Sequence, residues 1–284
     1  MGTLIKSFFI FIFFLLNIHL VEAGNLSMFP TKPLQGDPLI IQIENYTLDE
    51  IAKITLNGKS LWFFNYKNKP TVFWGIDLNQ KPGTHDLIIK KENGEIITEK
   101  IEIFKRDKYE APLGIPEKLG GNTPQAGKQL VSNLTRENNE LNTLTSLNKK
   151  MWSADFSLPL LKNEITDNYG YSRQTVGYTI AHKGTDWRAK EGTPVYAINS
   201  GIIKKAKTYE VYGKTIIIDH GLGVNSFYMH LSTIKVKNGE YVKKGQEIGL
   251  SGSTGYAESP HLHLSIKINN QSIDPYKFIE FFNL

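Results

Sequence analysis

The sequence contains no cysteine, and this absence removes several kinds of chemistry at once. Without a thiol the protein has no disulfide bond, no cysteine nucleophile, no cysteine-based zinc site and no lipid attached through cysteine. A bound metal would have to be held by histidine, aspartate or glutamate. Stability must come from the hydrophobic core alone, and a chain of 284 residues is long enough to form one large core or two smaller ones.

Acidic residues are in the minority, with 28 aspartates and glutamates against 33 lysines and arginines. The resulting net charge of +5 favours anionic surroundings such as nucleic acid, acidic lipid or phosphate-rich envelope polymers. The lysines are scattered, and no platform of aromatic and basic residues is visible. We therefore expect no nucleic-acid partner.

Long apolar runs are also scarce, and the clearest one lies near the start, from Phe8 to Val21 after Lys6. This run is short for a membrane span but typical of a signal-peptide core. The small residues of Val21-Glu22-Ala23 then provide a cleavage site. We predict a signal peptide at residues 1–23 and a protein exported to the periplasm, cell envelope or exterior, without stable membrane insertion after cleavage. An uncleaved N-terminal anchor is the alternative.

Residues 24–105 have the pattern of β structure. The apolar run Leu39–Ile43 indicates a buried strand. Asn57-Gly58 and Asn93-Gly94 lie between apolar runs, which is the strongest short hairpin signal. Short strands joined by such turns predict a small antiparallel β-sandwich.

Residues 106–150 differ in composition. Prolines and glycines up to Gly127 indicate a linker. Leucines at three- and four-residue steps, separated by polar residues, then predict a helix over residues 129–150 that lies on a neighbouring domain. The heptad pattern is not sustained, so a coiled coil is not expected.

Residues 151–284 predict a second all-β domain, with a helix only near its end. The fold class is therefore mainly β, with two β domains joined by a linker and a helix. The apolar, turn-bounded segments that predict strands are Val195–Ile198, Gly201–Ala206, Lys214–Asp219, Asn225–Leu231, Gln246–Ser251 and His261–Ile268.

Five of the seven histidines lie in this second domain, and their phase on the predicted strands is informative. Because side chains alternate between the faces of a strand, His261, His263 and Ser265 share one face, while the residues between them can enter a core. Two imidazoles are thereby presented side by side. In the segment 227–231 the same rule predicts that Phe227, Met229 and Leu231 point inward, while Tyr228 and His230 point away from the core.

His182 and Asp186 are four residues apart, with Gly184 between them, so one strand face or one helical turn brings their side chains together. Two imidazoles and one carboxylate are the ligand set of many catalytic zinc sites. His220, before a turn, is predicted to be structural, and His85 is predicted to lie on the surface. Each short motif alone is weak evidence, because alternating polar strands produce such spacings by chance.

The order of these motifs resembles the M23 peptidases, the lysostaphin and LytM type of peptidoglycan endopeptidase. His182-x-x-x-Asp186 comes first, His230 follows within Tyr228–Ser232, and His261-x-His263 comes last. The resemblance covers residues 169–275. Segments between the motifs that are similar to family signatures are Glu191–Ala197, Ile218–Gly221, Val242–Gly249 and Gly252–Gly255.

This resemblance implies an antiparallel barrel-sandwich peptidase domain at residues 151–284 that binds one zinc ion. Its ligands would be His182, Asp186 and His263. His230 and His261 would be catalytic histidines that do not bind the metal, and which of them is the base stays open. The N-terminal sandwich is similar, more loosely, to the immunoglobulin-like domain that precedes the peptidase domain in some exported members.

The family often adds a tyrosine upstream of the first ligand that stabilises the oxyanion. Tyr178 is the candidate here, and Tyr171 is the substitute. The implied substrate is the peptide part of peptidoglycan, either a D-amino-acid cross-link or a glycine bridge, and the stem-peptide cross-link is preferred. An envelope regulatory protein is a candidate partner.

Two other functions compete with the peptidase. A catalytically inactive activator or scaffold protein with the M23 fold would have lost ligands, whereas all of them are present here. A biotinyl or lipoyl carrier domain shares a turn like that at 242–246, but it would need a lysine on an exposed hairpin next to methionine or alanine. No such hairpin is visible.

Overall fold

The computed structural model describes residues 26–153 and 155–282 of the chain. The predicted signal peptide at residues 1–23 lies outside the described residues and stays a prediction. Within the described range, no helix is both long and apolar enough to cross a membrane. The described residues form 22 strands and two α-helices, so the mainly β fold class is confirmed.

Eight strands fill residues 26–103 and form two four-stranded antiparallel sheets. These strands are β1 (Leu26–Phe29), β2 (Pro38–Ile43), β3 (Ile51–Leu56), β4 (Lys59–Leu61), β5 (Phe63–Tyr66), β6 (Lys69–Gly75), β7 (Gly83–Lys91) and β8 (Ile96–Ile103). The sheet orders are β1-β2-β6-β5 and β4-β3-β7-β8. A short 3-10 helix, Leu48–Glu50, precedes β3.

The two sheets pack into one apolar core, as the sandwich prediction requires. Leu39 and Ile41 of the first sheet share this core with Leu87 and Ile89 of the second. At the tip of the β3–β4 hairpin, Asn57 and Gly58 have φ of 48° and 77°, the left-handed pair that a two-residue hairpin turn needs. The immunoglobulin-like assignment and the domain boundary at residue 105 remain predictions.

The segment after the sandwich contains β9 (Glu110–Pro112), a 3-10 helix (Glu117–Leu119) and α1 (Pro124–Leu141). The predicted helix, 129–150, was wrong at both ends. It begins earlier because Thr123 Oγ1 caps the N–H of Ala126, and Pro124 occupies the first turn, where its missing N–H costs nothing. It ends at Leu141 because the chain beyond it bonds to the large sheet instead, through Leu147 N–H and a carboxylate oxygen of Asp219.

Helix α1 packs against the C-terminal sheet, as predicted for a helix that lies on a neighbouring domain. Leu130 and Leu141 are buried on its apolar face. Its Glu137 is also buried, at 4% exposure, and the Glu137 carboxylate accepts the backbone N–H groups of residues 210–212 at 2.6–3.3 Å. Because one carboxylate accepts hydrogen bonds from three backbone N–H groups, it fixes helix α1 to the turn at residues 210–212.

The C-terminal strands form one large sheet and two small ones. They are β10 (Ile165–Asp167), β11 (Ser172–Thr175), β12 (Tyr178–Ala181), β13 (Thr185–Arg188), β14 (Pro194–Tyr196), β15 (Gly201–Tyr209), β16 (Gly213–Gly221), β17 (Val224–Leu231), β18 (Thr233–Ile234), β19 (Tyr241–Val242), β20 (Glu247–Leu250), β21 (His261–Ile268) and β22 (Gln271–Ile273), followed by α2 (Pro275–Phe282). The large sheet has the order β10-β13-β21-β17-β16-β15-β19, with β22 beside β21. The small sheets are β14-β20-β18 and β12-β11-β9, in which β9 is parallel to β11.

The N-terminal and C-terminal parts share packing. Ile40, Phe64 and Phe73 of the sandwich lie in the same apolar cluster as the C-terminal core, which includes Trp152, Phe156, Phe278 and Phe282. Nearby, Arg106 bridges Asp37 and Asp274, so its charge connects the sandwich to the start of α2. These contacts hold the two parts in one arrangement around the large sheet.

Candidate metal centre and active site

Two neighbouring strands of the large sheet place the predicted ligands side by side. β13 pairs with β21 in an antiparallel register that puts Asp186 directly opposite His263. His182 lies just before β13, and the chain turn at Gly184 brings its side chain next to those of Asp186 and His263. A Cβ at Gly184 would lie 2.3 Å from His263 Nε2, so any side chain there would displace the ring.

The three side chains converge on one point. His182 Nε2 and His263 Nδ1 are 3.1 Å apart. Asp186 Oδ1 lies 3.2 Å from the first nitrogen and 2.7 Å from the second. Within residues 26–153 and 155–282, this is the one group of three histidine, cysteine or acidic side chains whose donor atoms meet this closely.

The hydrogen-bond partners assign the tautomer of each ring. His182 Nδ1 is 2.9 Å from the carbonyl oxygen of Asn168, which can only accept, so Nδ1 carries the hydrogen and Nε2 carries a lone pair. Ser265 donates its hydroxyl hydrogen to the carbonyl of Lys183 at 2.8 Å. The Ser265 oxygen therefore accepts from His263 Nε2–H at 2.9 Å, which leaves a lone pair on His263 Nδ1.

When both rings are neutral, the meeting point holds three acceptors and no hydrogen. Burial by itself raises the pKa of Asp186, and only positive charge beside it, a proton on His182 or His263 or a cation in its place, holds that pKa well below its usual range. Burial lowers the pKa of His263, and Asp186 only partly opposes this, so the ring is neutral. Two imidazole lone pairs directed at a carboxylate repel one another unless a cation lies between them.

These donors fit a zinc ion. Ligand atoms about 2.0–2.1 Å from a tetrahedral ion are about 3.3 Å from one another, close to the observed separations of 2.7, 3.1 and 3.2 Å. Two nitrogens and one oxygen suit zinc better than calcium or magnesium, which prefer oxygen alone. Arg173 Nη2 binds the other oxygen of Asp186 at 3.0 Å and so directs Oδ1 toward the ring nitrogens.

His230 reaches the same site through a β-bulge. Two residues of β17, Met229 and His230, lie opposite the single residue Thr215 of β16. His230 has a φ of 61°, a left-handed conformation that is uncommon for a residue with a side chain. Its ring centroid lies 4.9 Å from that of His261 and 6.0 Å from that of His263.

The bulge makes the predicted alternation over 227–231 wrong. Tyr228 was expected to point away from the core with His230, but it is fully buried in the main core. Phe227 and Met229 were expected to point inward, but they pack with Leu141 of helix α1 on the opposite face. The extra residue shifts the phase by one position, so His230 shares the face of Met229.

His230 and His261 are held in the same way. Their Nδ1 atoms each lie 2.8 Å from a backbone carbonyl oxygen, that of Thr254 and that of Ser259. In the neutral form of either ring the lone pair is therefore on Nε2, and neither Nε2 has a hydrogen-bond partner among the described residues. Burial lowers the pKa of His230 to about 3, so this ring is neutral at pH 7. His261 Nε2 lies 3.8 Å from Asp186 Oδ1.

All five side chains line one cavity of about 990 Å³, with helix α1 along one side. Tyr178, the candidate oxyanion donor, also lines this cavity. Tyr171, its substitute, is not part of the lining. The Tyr171 hydroxyl accepts from Asn168 Nδ2 at 3.4 Å, and its ring packs on Tyr109.

Several supporting residues had no usable signal in the sequence. Asn168, Arg173 and Thr254 act through a carbonyl or a long side chain from loops and short strands without a fixed spacing to the ligands. Ser265 was detectable as the next residue on the face of His261 and His263. His85 was predicted to lie on the surface, and this was wrong, because it is 7% exposed and its Nε2 lies 2.8 Å from the carbonyl oxygen of Lys81.

The model of peptidase family M23 matches residues 180–275. The peptidoglycan DD-endopeptidase ShyB of Vibrio cholerae is 34% identical over 116 residues, which are 40% of this chain and 27% of ShyB. The DD-carboxypeptidase/endopeptidase Mpg of Neisseria meningitidis is 37% identical over 118 residues, 41% of this chain and 27% of Mpg. The chain thus spans about a quarter of the length of these curated relatives.

A solved structure resembles the fold over most of the chain. The putative peptidase M23 from Pseudomonas aeruginosa has a TM-score of 0.63 at 23% identity and covers 87% of this chain and 95% of its own. The likeness therefore extends beyond residues 180–275 to the sandwich and the helix. The family match and the converging ligands fall in the same region of the large sheet. Residues 180–275, which contain the three converging side chains, thus match peptidase family M23.

Proposed function

We propose that this protein is an exported, zinc-dependent endopeptidase that hydrolyses stem peptides or peptide cross-links of bacterial peptidoglycan. The observation that carries the proposal is the meeting of three lone pairs, from His182, Asp186 and His263, in a cavity that two further imidazoles share. The names of the relatives, a peptidoglycan DD-endopeptidase and a DD-carboxypeptidase/endopeptidase, support the stem-peptide cross-link over the glycine bridge.

One zinc ion per chain would be held by His182 Nε2, Asp186 Oδ1 and His263 Nδ1. Bound there, zinc supplies Lewis acidity, which lowers the pKa of a water molecule from about 15.7 toward about 7. The protein's own contribution is to fix the ligands. Asn168 and Ser265 select the ring tautomers, and Arg173 orients the carboxylate.

His230 and His261 are assigned the movement of protons. Each has its Nδ1–H bound to a carbonyl, so its Nε2 can accept a proton from the attacking water and pass it to the leaving amine. His230 enters the reaction neutral because burial lowers its pKa to about 3. Both rings leave Nε2 without a hydrogen-bond partner among the described residues.

Tyr178 is assigned the stabilisation of the oxyanion. Its position in the wall of the cavity supports this role, and the engagement of the Tyr171 hydroxyl by Asn168 argues against the substitute. The export and envelope location of the enzyme are proposed from the predicted signal peptide and from the substrate. An envelope regulatory protein remains a proposed partner.

The experiment is a substitution series on purified protein with cross-linked peptidoglycan as substrate. We expect His182→Ala and Asp186→Ala to lose bound zinc and hydrolysis together, measured by elemental analysis and by mass spectrometry of released muropeptides. His85→Gln, in the distant sandwich, is the matched control and should retain both. Full hydrolysis by zinc-free His182→Ala protein would refute the proposal.

The inactive scaffold makes the opposite prediction. It would bind peptidoglycan without releasing soluble peptides, with or without zinc. The complete set of five side chains argues against this alternative, since a scaffold has no need to keep two histidines with open Nε2 atoms beside the ligands. The same muropeptide assay separates the two functions.

A further inference from the structure

Lys267 is a buried cation in the wall of the site cavity. It lies on β21, on the same face as His261, His263 and Ser265, and only 7% of it is exposed. Four residues of extended strand separate it from His263, about 13 Å between Cα atoms. A bound peptide in extended conformation would need about four residues to reach from His263 to Lys267.

No carboxylate of the described chain pairs with this ammonium group. Its one hydrogen bond is to Asn142 Oδ1 at 2.9 Å, and its nitrogen lies 5.2 Å from the centroid of the Phe227 ring. An ammonium group has three donors, so two are left over. A buried charge without a counter-ion is costly, and such groups in clefts are candidates for function.

The other charges near the cavity also indicate that Lys267 lacks a counter-ion. Burial lowers the pKa of Lys267 to about 8, and the charge of Lys183, which also lines the cavity, contributes to this shift. The carboxylates of the lining are engaged elsewhere. Asp167 and Asp186 bind Arg173, Glu258 accepts the N–H of Gly114, and Asp77 Oδ1 accepts the N–H of Asn79 at 2.7 Å.

We propose that Lys267 binds a free carboxylate of the peptide substrate and so makes the enzyme selective for anionic peptides. This inference rests on the proposed function, because it takes the substrate to be a stem peptide. A carboxylate at Lys267 would supply the missing counter-ion, in a cavity that Lys183 and Lys267 line without an ion-pair partner among the described residues. The carboxylate could belong to the peptide's C-terminus or to a side chain, and the test distinguishes the two.

A purely structural role for Lys267 predicts something different. Asn142 is the C-cap of helix α1, and a cation near a helix C-terminus stabilises it. If this were all that Lys267 did, its loss would lower stability and would affect every substrate equally. Selectivity between a carboxylate and a carboxamide is therefore the decisive readout.

The experiment uses one cross-linked dimeric stem peptide in three forms: with free carboxylates, with an amidated C-terminus, and with amidated side-chain carboxylates. For the wild type we expect one amidation to raise KM about tenfold to a hundredfold with little change in kcat, the range of a hydrogen bond between charged groups. Lys267→Met should have the raised KM for all three forms, and Lys267→Arg should restore part of the selectivity. Lys162→Met, at an exposed lysine outside the cavity, is the control.

The outcomes separate this inference from the function on which it rests. Equal KM values for the three peptides in the wild type would overturn the carboxylate subsite and leave the peptidase standing, and this comparison needs no variant that might misfold. If no peptide is cleaved, calorimetry with the same three peptides decides. Tighter binding of the free acid that Lys267→Met abolishes would support the subsite without the peptidase, whereas equal or absent binding would overturn it.

Discussion

Two buried histidines on neighbouring strands of the large sheet differ in what surrounds their rings. His220 on β16 has both nitrogens occupied: Nδ1 lies 2.9 Å from the carbonyl oxygen of Ser200, and Nε2 lies 2.8 Å from Ser226 Oγ. His230 on β17 has only Nδ1 occupied, by the carbonyl of Thr254. Burial lowers the pKa of both, to about 4 and about 3.

Burial and pKa therefore do not distinguish the structural histidine from the candidate catalytic one. The open nitrogen does, together with the cavity that it faces. His220 is 0% exposed and packs edge-on against Phe156, far inside the core, whereas His230 lines the cavity of the site. A histidine can carry a proton for a substrate only if one nitrogen is left for it.

The largest expected effect is a loss of hydrolytic activity when the histidine with the open nitrogen is removed. His230→Ala should lower kcat by a factor of about 10² to 10⁴, the contribution of a general acid or base, while zinc content and melting temperature stay near those of the wild type. Steady-state kinetics and elemental analysis on the same preparation provide the measurement. Unchanged kcat would remove His230 from the proposed mechanism.

The converse substitution should act on stability. His220→Ala removes the partner of the Ser200 carbonyl and one of the two partners of the Ser226 hydroxyl in a buried site and opens a cavity, so we expect the free energy of unfolding to fall by about 3 kcal/mol. The kcat of the remaining folded protein should stay within a few-fold. Urea denaturation, with kinetics corrected for active protein, measures both quantities. A loss of kcat at full stability would contradict the structural role.

The pH dependence of stability follows from the same histidine. Its folded-state pKa is about 4 and its ordinary value is 6.5, so between these pH values the unfolded chain binds the proton more strongly. Stability from this group is complete above pH 6.5 and is lost as the pH falls toward 4, by up to about 3 kcal/mol. Denaturation curves of the wild type and His220→Gln across this range should diverge, with the shallower slope in the variant.

The smallest effect concerns the support of a ligand. Ser265→Ala removes the acceptor of His263 Nε2–H, so the tautomer with a free Nδ1 is no longer favoured. Zinc affinity should fall by a factor of about 10 to 100. Competition with a chromogenic chelator measures it, and Ser60→Ala, on an exposed strand of the sandwich, is the matched control. Equal affinities would show that Ser265 does not orient the ring.

The strands could be predicted from the sequence for a simple physical reason, whereas the ligand set of His182, Asp186 and His263 rests on the resemblance to the M23 peptidases and stays a prediction. Alternating apolar residues and tight turns are local signals in the sequence. His261 and His263 lie on a regular strand, where side chains two residues apart point to the same face. The prediction failed where one residue breaks the period. At His230 a left-handed backbone changes the sheet face to which the side chain points. The residue types of Tyr228-Met229-His230 do not predict a bulge, because the bulge is defined by how β17 pairs with β16.

The helix shows a second limit. Thr123 and Pro124, a cap followed by proline in the first turn, do mark its start, but the same proline also fits the proline- and glycine-rich linker before it. Its end depends on tertiary contacts of Ser146 and Leu147 with Asp219, which no local pattern encodes. The contact between His182 and the backbone carbonyl of Asn168 could not be predicted from the sequence either, because every residue has a carbonyl.

The parallel pairing of β9 with β11 determines how much of the chain the peptidase domain needs. Ser172 N–H donates to the carbonyl of Tyr109, and Leu113 N–H donates to that of Gln174, so residues well before the predicted boundary at 151 complete a C-terminal sheet. A fragment trimmed at residue 151 would expose the edge of β11 and the apolar patch under α1, which invites aggregation. The smallest autonomous peptidase unit should therefore start upstream of Tyr109.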